Sequence, residues 1–491
     1  MQPKNFLRRI GFGLRPDEAN PADPLKWALE QFEHPSNLIW PGRIYSQAEM
    51  LDVRIDFVDS EDAIDRGTKN PTEARKKRDA LYHRTGRRFF ESYEIAIRHH
   101  QAVYGEAPVF ERFWHFWGNH FTIVDKNKLP IFNTGPMQRD VIRSGMGGKF
   151  ADLVYDVTIS WPMLKSLDNF QSRGPNSSFN IYRKQNGKPQ RGLNENHARE
   201  LLELHTVSPA CGYTQEDVIN AANIMTGWGF VRKGKKHKHV EDPDVGYIGD
   251  VHEPGTHTVL EEKFKSTGFD TKTKGKKQLR DLVDFLCTHE SCIRFISWKL
   301  CRHFICDEPT DEMVQVVVDA WEKSDGMLPD IHRAVVRAAW IFGDEYRKFQ
   351  MPETWFLQVA RMSGAPWPGD PKKFDYDFKS KPTSAQRRPA QVLAELGHKP
   401  FRAKQPNGFP DTEAEWLSPE YLVRRLSLVN NAKRFGLRPN DLDMPAFIDS
   451  VLNRNFDAPK GLHEFVNGLG GHTSSSNQLV ALFCSERMLK V

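Results

Sequence analysis

The sequence predicts a mainly α-helical fold, a large multi-helix unit with long loops and at most a minor β excursion. Apolar residues recur at the helical period through most of the chain. Helix start signals precede several of these segments, such as Thr214 with Glu216 and Asp217 before "DVINAANIMTGWGF" and Pro309-Thr310 before "DEMVQVVVDAW". Alternating, strand-like runs are scarce, and 246–260 is the best candidate for a short β excursion.

Amphipathic helices are expected wherever the apolar period persists. These segments are 71–106, 107–124, 136–156, 193–208, 214–229, 278–306, 310–323, 330–343, 352–364, 387–396 and 418–432. Long loops are expected at 167–192, 230–277 and 366–386, and loops of such length are usually functional or disordered. We expect a main helical unit over 1–345 and a C-terminal helical portion over 346–491 packed on it.

Composition excludes several classes of protein. The 491 residues are 39% hydrophobic and 27% charged, which is typical of a globular protein. The net charge of +5 is small for this length and gives no specific signal for nucleic-acid binding. Walker A, GxSxG and Gly-rich dinucleotide motifs are missing, which argues against kinases, α/β-hydrolases and Rossmann dehydrogenases. The oligomeric state is not predicted.

Cysteine usage and the N-terminus predict the compartment. The six cysteines form no CxxC motif and no paired zinc spacing, as expected for a reduced protein with buried thiols. The N-terminus lacks an apolar signal-peptide core, and no stretch reaches the roughly 18 apolar residues of a membrane span. We therefore expect no membrane span and a cytoplasmic protein as written, with export if a leader has been removed.

The segment "RFWHFWGNHF" (112–121) concentrates aromatic residues and histidines. Its apolar stripe on a helical wheel is Phe113, Phe116, Trp117 and Phe121. His120 falls at the edge of that stripe beside Asn119, so we expect both to face a cavity. His115 lies about 140° away and is expected to point elsewhere. A hydrogen-bonded core histidine is the alternative interpretation of His120.

The segment "LNENHARELLELHTVS" (193–208) predicts a helix with one acidic face. That face carries Glu195, Asn196, Arg199, Glu200 and Glu203. It is either a solvated surface with an Arg–Glu pair or the wall of a cleft. In a cleft, clustered carboxylates supply a general acid or base, or bind a hard cation. We expect these side chains to be more buried than solvated ones, with the arginine paired to a carboxylate.

Several segments, taken in order, resemble the bacterial domain of unknown function 1800 family. They are "RFWHFWGNHFT", "MLKSLDNFQSRGPNSS", "GLNENHARELLELHTVS", "GYTQEDVINAANIMTGWGF", "HEPGTHTVL", "FISWKLCRHFICDEP" and "LGHKPFRAKQPNGFPDTEAEW". The resemblance covers nearly the whole chain and implies a single family unit, export in many members, and no particular reaction. The positions that match the family's signature are Asn119, His120, Asp168, Asn169, Asn194, Glu195, Asn196, Arg199, Glu200, Glu203, Trp228, His252 and Lys299.

Two departures from the family pattern affect individual hypotheses. His197 and His205 stand where the family looks more aromatic or variable, which weakens any metal site that uses them. His257 stands where Lys or Arg is expected, so a cationic contact there would depend on pH.

The first functional hypothesis is an acid–base enzyme, a hydrolase or lyase acting on a polar polymer such as a glycan. Its catalytic residues are predicted to be Glu195, Glu200, His120, His252 and Arg199. Its substrate-binding residues are predicted to be Asn119, Asp168, Asn169, Asn194, Asn196, Trp228 and Lys299.

Two alternatives come from other classes of protein. A metal-dependent oxidoreductase would hold a divalent metal through His120 and His252 with Glu195 or Glu200, although no HExxH motif supports it. A non-catalytic scaffold or anion-binding protein would use the lysine-rich runs 231–239 and 263–278.

Overall fold

The computed structural model describes residues 2–33, 36–84, 87–124, 131–229, 246–266, 275–345, 347–374, 382–469 and 473–491. These residues form 24 α-helices and two small two-stranded sheets. The predicted mainly α fold is therefore confirmed. Within the described residues, no helix is both long enough and apolar enough to cross a membrane.

The first twelve helices run to residue 225. They are α1 (Pro3–Ile10), α2 (Pro24–Glu30), α3 (Gln47–Gly67), α4 (Pro71–Arg84), α5 (Arg87–Tyr104), α6 (Pro108–His120), α7 (Ile131–Pro136), α8 (Phe150–Ile159), α9 (Trp161–Ser166), α10 (Ser178–Gln185), α11 (Asn196–Glu200) and α12 (Gln215–Met225). Two segments, Met137–Arg143 and Leu201–His205, are π-helical.

The second twelve helices follow the β segments. They are α13 (Lys276–Thr288), α14 (Glu290–Phe304), α15 (Asp311–Lys323), α16 (Leu328–Phe342), α17 (Pro352–Met362), α18 (Ser384–Glu395), α19 (Glu413–Trp416), α20 (Pro419–Asn430), α21 (Met444–Asn455), α22 (Lys460–Gly468), α23 (Ser475–Phe483) and α24 (Glu486–Leu489). Short 3-10 helices occur at Asn169–Gln171, Pro209–Cys211, Gly249–Val251, Pro371–Phe374, Ala432–Phe435 and Pro439–Asp441.

Predicted helix starts are confirmed where a capping residue was identified. The Thr214 side chain accepts a hydrogen bond from the Asp217 N–H, and the Asp217 carboxylate accepts one from the Thr214 N–H, which makes a capping box at the start of α12. Thr310 caps α15 by accepting from the Met313 N–H. These side chains satisfy N–H groups that have no partner within the helix.

Segment 71–106 is helical over α4 and α5, and residues 85–86 between them lie outside the described residues. Two other long predicted helices are wrong in extent. Segment 278–306 is α13 and α14, and at the break the His289 side chain accepts a hydrogen bond from the Ser291 N–H and caps α14. Segment 136–156 is the π-helical Met137–Arg143 followed by α8, with a glycine-containing loop between them. Apolar periodicity continues across such breaks, because both helices bury residues in the same core.

The β structure is confined to two antiparallel pairs. Strand β1 (Trp228–Gly229) pairs with β2 (Gly246–Tyr247). Strand β3 (Thr256–Val259) and strand β4 (Glu262–Lys265) form a hairpin. The predicted β excursion within 246–260 is confirmed, and β4 extends it beyond the predicted end.

Buried apolar residues form three cores. The first core is formed by α1, α6, α8 and the five helices from α12 through α16, and it contains Trp117 and Phe304. The second core is formed by α17, α18 and the helices from α20 through α24, together with residues of α5. The third core contains Trp40, Tyr45, Met50, Leu81, Phe90, Tyr93, Ala96, Ile97, Phe132 and Phe374. Helix α5 precedes residue 345 but contributes to the second core as well as to the third. The predicted division of the chain into two portions at residue 345 stays a prediction.

The Arg361 side chain ties three parts of the chain together. This arginine of α17 is fully buried. Its guanidinium donates to the Glu18 carboxylate (Nη2–Oε1 2.6 Å) and to the carbonyls of Gly13, Ala102, Val103 and Gly105 at 2.8–3.2 Å. This one side chain thus satisfies several buried backbone carbonyls that water does not reach.

Arg361→Met is expected to lower the free energy of unfolding by at least about 3 kcal/mol, because each unsatisfied buried acceptor costs about 1–3 kcal/mol. Urea denaturation of the wild type and the variant measures the loss. Arg438→Met is the matched control, since the Arg438 side chain is 75% exposed, and its effect should stay within about 0.5 kcal/mol. Equal unfolding midpoints for the two variants would contradict the role given to Arg361.

A buried polar cavity as the candidate active site

A small polar cavity lies where α5, α6, α14 and α17 meet the loop after α18. It is lined by Arg98, Arg112, His115, Gly118, Asn119, His303, Met351, Glu353, Thr354, His398 and Pro400. The cavity has a volume of about 20 Å³, counted as the space that the centre of a water molecule can occupy. That is room for a small polar group, since a single water needs about 10–15 Å³ on the same measure.

Glu353 is the carboxylate of this cavity. Its Oε2 accepts from Arg98 Nη2 at 2.9 Å, and its Oε1 lies 3.1 Å from His99 Nε2. The Nδ1 atoms of His115 and His398 each lie 3.6 Å from Oε2. Burial by itself would raise the pKa of Glu353, but the Arg98 guanidinium and His115 hold that pKa well below its usual value. Glu353 is therefore an anion at neutral pH.

The histidines of the cavity are neutral. Burial lowers the pKa of His115 to about 3 and the pKa values of His303 and His398 to about 4. The Nδ1 atoms of His115 and His398 face Glu353 Oε2 in long contacts of 3.6 Å, and among the described residues the Nε2 atoms of both rings have no hydrogen-bond partner. Buried polar groups are normally paired, because leaving one unpaired costs about 1–3 kcal/mol. Two buried imidazoles that face one carboxylate and each keep an unpaired Nε2 are the strongest indication of function in the described chain.

Arg112, His303 and Asp411 form a chain of hydrogen bonds beside the cavity. Arg112 Nη1 lies 2.7 Å from His303 Nε2, and His303 Nδ1 lies 3.2 Å from Asp411 Oδ2. Because a guanidinium only donates, His303 Nε2 is the acceptor and its Nδ1–H donates to Asp411. Burial lowers the pKa of Arg112 to about 9, so the guanidinium keeps its charge at neutral pH.

Asn119 fastens the loop that carries Asp411. Its Nδ2 donates to the Phe409 carbonyl and its Oδ1 accepts from the Phe409 N–H, both at 2.8 Å. Gly408 has φ +77°, and a Cβ there would lie 2.5 Å from the Asn119 carbonyl oxygen, so only glycine fits. Asn119, predicted to bind substrate, thus lines the cavity and positions its loop.

The orientation of α6 differs from the prediction. The apolar stripe is confirmed, since Phe113, Phe116, Trp117 and Phe121 are buried. His115, however, lines the cavity, and His120 is not among the lining residues. Arg112, His115 and Asn119 are three and four residues apart and form one stripe of the helix. The expectation that His115 points elsewhere is therefore wrong.

His120 belongs to a second polar group with two of its neighbours. Lys299 Nζ donates to His120 Nδ1 at 2.9 Å, and the rings of His120 and His205 lie 6.0 Å apart. Burial lowers the pKa of Lys299 to about 8, and burial together with the Lys299 charge lowers the pKa of His120 well below 6.5. Two of the predicted site residues, His120 and Lys299, are thus in direct contact.

The acidic helix is shorter and more exposed than expected. Helix α11 ends at Glu200 and continues as the π-helical Leu201–His205, so a regular wheel does not describe its second half. The predicted ion pair exists, with Arg199 Nη2 3.3 Å from Glu195 Oε2, but these side chains are 40% and 35% exposed. Both also bond to Gln215 at the start of α12.

The other polar residues near α11 serve its N-terminus or face solvent. The Asn194 side chain accepts from the Asn196 N–H at 3.0 Å, and the Asn196 side chain is exposed. Glu200 and Glu203 are partly buried. The catalytic and substrate-binding roles given to this segment stay predictions.

A third set of predicted residues lies at the opposite end of α12. Asn169 Nδ2 donates to the carbonyls of Met225 (3.1 Å) and Trp228 (3.0 Å). His252 Nδ1 lies 2.9 Å from the Thr226 carbonyl oxygen. Asp168 precedes Asn169 and has φ +58°. Because α12 has 11 residues, it spans about 16 Å, which separates this set from Glu195 and Arg199.

Two further hypotheses concern a bound metal ion and the lysine-rich runs. Within the described ranges, no three His, Cys, Asp or Glu side chains are arranged to hold a metal ion, and His120, His252 and Glu195 form no such group. The lysine-rich run 231–239 and residues 267–274 of the second run lie outside the described residues.

Sequence analysis missed most of the cavity. His115, His303 and His398 stand in the quoted segments, and their recurrence there was the signal that could have singled them out. Glu353 gave no such signal, because one acidic residue in the first turn of a helix is ordinary. Arg98 lies within a helix whose polar and apolar residues serve two cores.

A family model described as "Protein of unknown function (DUF1800)" matches residues 5–486. The chain belongs to this family. No curated protein and no solved structure matches the chain. The matched range includes every residue that lines the cavity, so the cavity is part of the DUF1800 unit.

Proposed function

We propose that this DUF1800 protein is an enzyme that uses acid–base chemistry, and that the cavity around Glu353 is its active site. The observation that carries the proposal is the pair of buried imidazoles, His115 and His398, whose Nδ1 atoms face one carboxylate and whose Nε2 atoms have no hydrogen-bond partner among the described residues. A packing role would favour apolar side chains at these positions, because those leave no polar atom unsatisfied.

The arrangement suits proton transfer. A neutral imidazole accepts a proton at one nitrogen and donates one from the other. When His115 or His398 takes up a proton, the Glu353 carboxylate at 3.6 Å stabilises the imidazolium that forms. Arg98 and His99 hold the carboxylate from the other side, so they act as positioning residues.

The volume of the cavity restricts what reacts there. Space of about 20 Å³ admits a water molecule or one small group of a larger molecule, but not a sugar ring. We therefore propose hydrolase or lyase chemistry in which a single group of a polar substrate enters. A polymer such as a glycan remains the proposed substrate class.

His398→Leu is expected to abolish turnover while leaving the melting temperature nearly unchanged, because it removes an unpaired buried Nε2 and a long Nδ1 contact and keeps apolar bulk. His332→Leu is the matched control. The buried His332 accepts a hydrogen bond from Trp117 Nε1 at 2.9 Å, outside the cavity. Its loss should cost about 1–3 kcal/mol of stability and leave the folded fraction active.

Turnover is measured on a panel of polysaccharides and esters, by release of reducing ends, of acid, or of unsaturated products. The proposal expects the wild type and His332→Leu to be active on the same substrate and His398→Leu to be inactive. An active His398→Leu variant, or a wild type inactive on every hydrolase and lyase substrate, would overturn it.

A further inference from the structure

We infer that the cavity binds a carboxylate group of its ligand, held by the Arg112 guanidinium with N–H groups of His115 and His398. This inference rests on the proposed function, since it assigns a charge class to the substrate group that enters the same site. Its basis is a buried positive charge that has no carboxylate within ion-pair distance among the described residues.

Arg112 carries that charge. Its side chain is buried, and its polar contact is with the neutral His303, at 2.7 Å. Among the described residues, no carboxylate lies within 4.0 Å of its guanidinium, and its buried Nε has no hydrogen-bond partner. The ring of Phe304, 5.5 Å away, offers only a weak cation–π contact.

The two nearby carboxylates are already paired with other cations. Glu353 lies 2.9 Å from Arg98, and Asp411 lies 3.5 Å from Arg302. Of the residues that line the cavity, Arg98 and Arg112 are cationic and Glu353 alone is anionic. The lining therefore has an excess of one positive charge. A buried ion without a partner is costly, and water can satisfy an N–H group but cannot neutralise the charge.

The geometry of the site selects a carboxylate among anions. A guanidinium presents a planar pair of N–H donors that fits the two oxygens of a carboxylate. The neutral rings of His115 and His398 each carry a single N–H, and when it stands on the Nε2 atom, which has no partner among the described residues, it is available to the ligand. The volume of about 20 Å³ accommodates a planar group the size of formate.

The probe is sodium formate, added to the full chain at constant ionic strength with sodium chloride as the reference salt. We expect a saturable rise in the melting temperature, of about 3 °C when formate exceeds its half-saturating concentration about 100-fold. Arg112→Met should abolish the rise. It removes an unpaired buried charge, so it should fold with a melting temperature near that of the wild type. Arg438→Met, on an exposed side chain, should keep the full rise.

If Arg112→Met does not fold, His398→Leu supplies the second comparison. It should raise the half-saturating formate concentration at least about tenfold, as expected for the loss of one charge-assisted hydrogen bond. No saturable effect in the wild type, or an undiminished effect in the folded variants, overturns the inference. Formate binding without turnover contradicts only the proposed function. Turnover of substrates without a carboxylate, together with no formate effect, contradicts only this inference.

Discussion

Glu353→Gln is expected to lower the free energy of unfolding by about 3–5 kcal/mol, one of the largest single-residue effects in this protein. The amide has nearly the shape of the carboxylate but no charge. It leaves the buried Arg98 guanidinium with only neutral acceptors, on Gln138 and on the new amide, and it weakens the contact with His99. Breaking one partner of a buried ion pair costs more than the pair contributes, because the other charge stays buried.

The measurement is urea denaturation at pH 7, followed by fluorescence and circular dichroism. Glu420→Gln is the matched control. Glu420 pairs with Arg424 four residues away on α20, and its side chain is 69% exposed, so its loss should cost at most about 0.5 kcal/mol. If Glu353→Gln unfolds at the same urea concentration as the control, Arg98 does not depend on Glu353 for its charge balance.

The second large effect is expected on acidification. Burial lowers the pKa values of seven histidines to about 3 or 4. These residues are His100, His115, His197, His205, His303, His332 and His398. In the unfolded chain a histidine has a pKa of about 6.5. Between about pH 6.5 and 4 the unfolded chain therefore binds more protons than the folded one, and stability falls as the pH falls.

Each such histidine removes about 1.4 kcal/mol of stability for every pH unit below 6.5. Because a folded protein is stable by only about 5–15 kcal/mol, we expect this protein to unfold between about pH 6 and 4. A pH titration followed by circular dichroism locates the transition.

A pair of variants isolates the histidine contribution to the acid transition. His197→Leu removes one of the seven shifted groups, so the proton uptake on unfolding between pH 6 and 5 should fall by about one. Ile181→Ala, on an exposed side chain that carries no titratable group, should leave the uptake unchanged. A protein that stays folded at pH 4 would show that the buried histidines do not limit its stability.

The helical period of apolar residues predicted the helices that bury one face. It did not predict helices that bury residues on several sides. Helix α1 buries its residues on all sides, including Arg8 and Arg9, whose guanidiniums bond to carbonyls of distant segments. Its polar face is plain in the sequence, but the burial of that face depends on distant partners that periodicity does not reveal. The π-helical Leu201–His205 is hidden for another reason. Its hydrogen bonds span five residues, so a wheel of 100° per residue misplaces every later side chain.

The candidate site was predictable only in part. The sequence identified Asn119, which lines the cavity, because it lies in a segment dense in polar and aromatic residues. Lys299 was singled out only by the resemblance to the family. The sequence did not identify the cavity, because Arg98, His115, Glu353 and His398 come from four segments spread over about three-fifths of the chain. Their assembly is decided by packing between helices, which no local pattern encodes.

The position of the cavity between two cores has a consequence for how the protein comes apart. Helices α6 and α14 belong to the first core, while α17 belongs to the second, and all three supply lining residues. A ligand bound there loses its contacts as soon as either core unfolds. Its binding free energy is therefore added to the stability of both halves at once. Large chains commonly unfold in stages. A ligand bound in this cavity would make the two cores unfold together, in one cooperative transition.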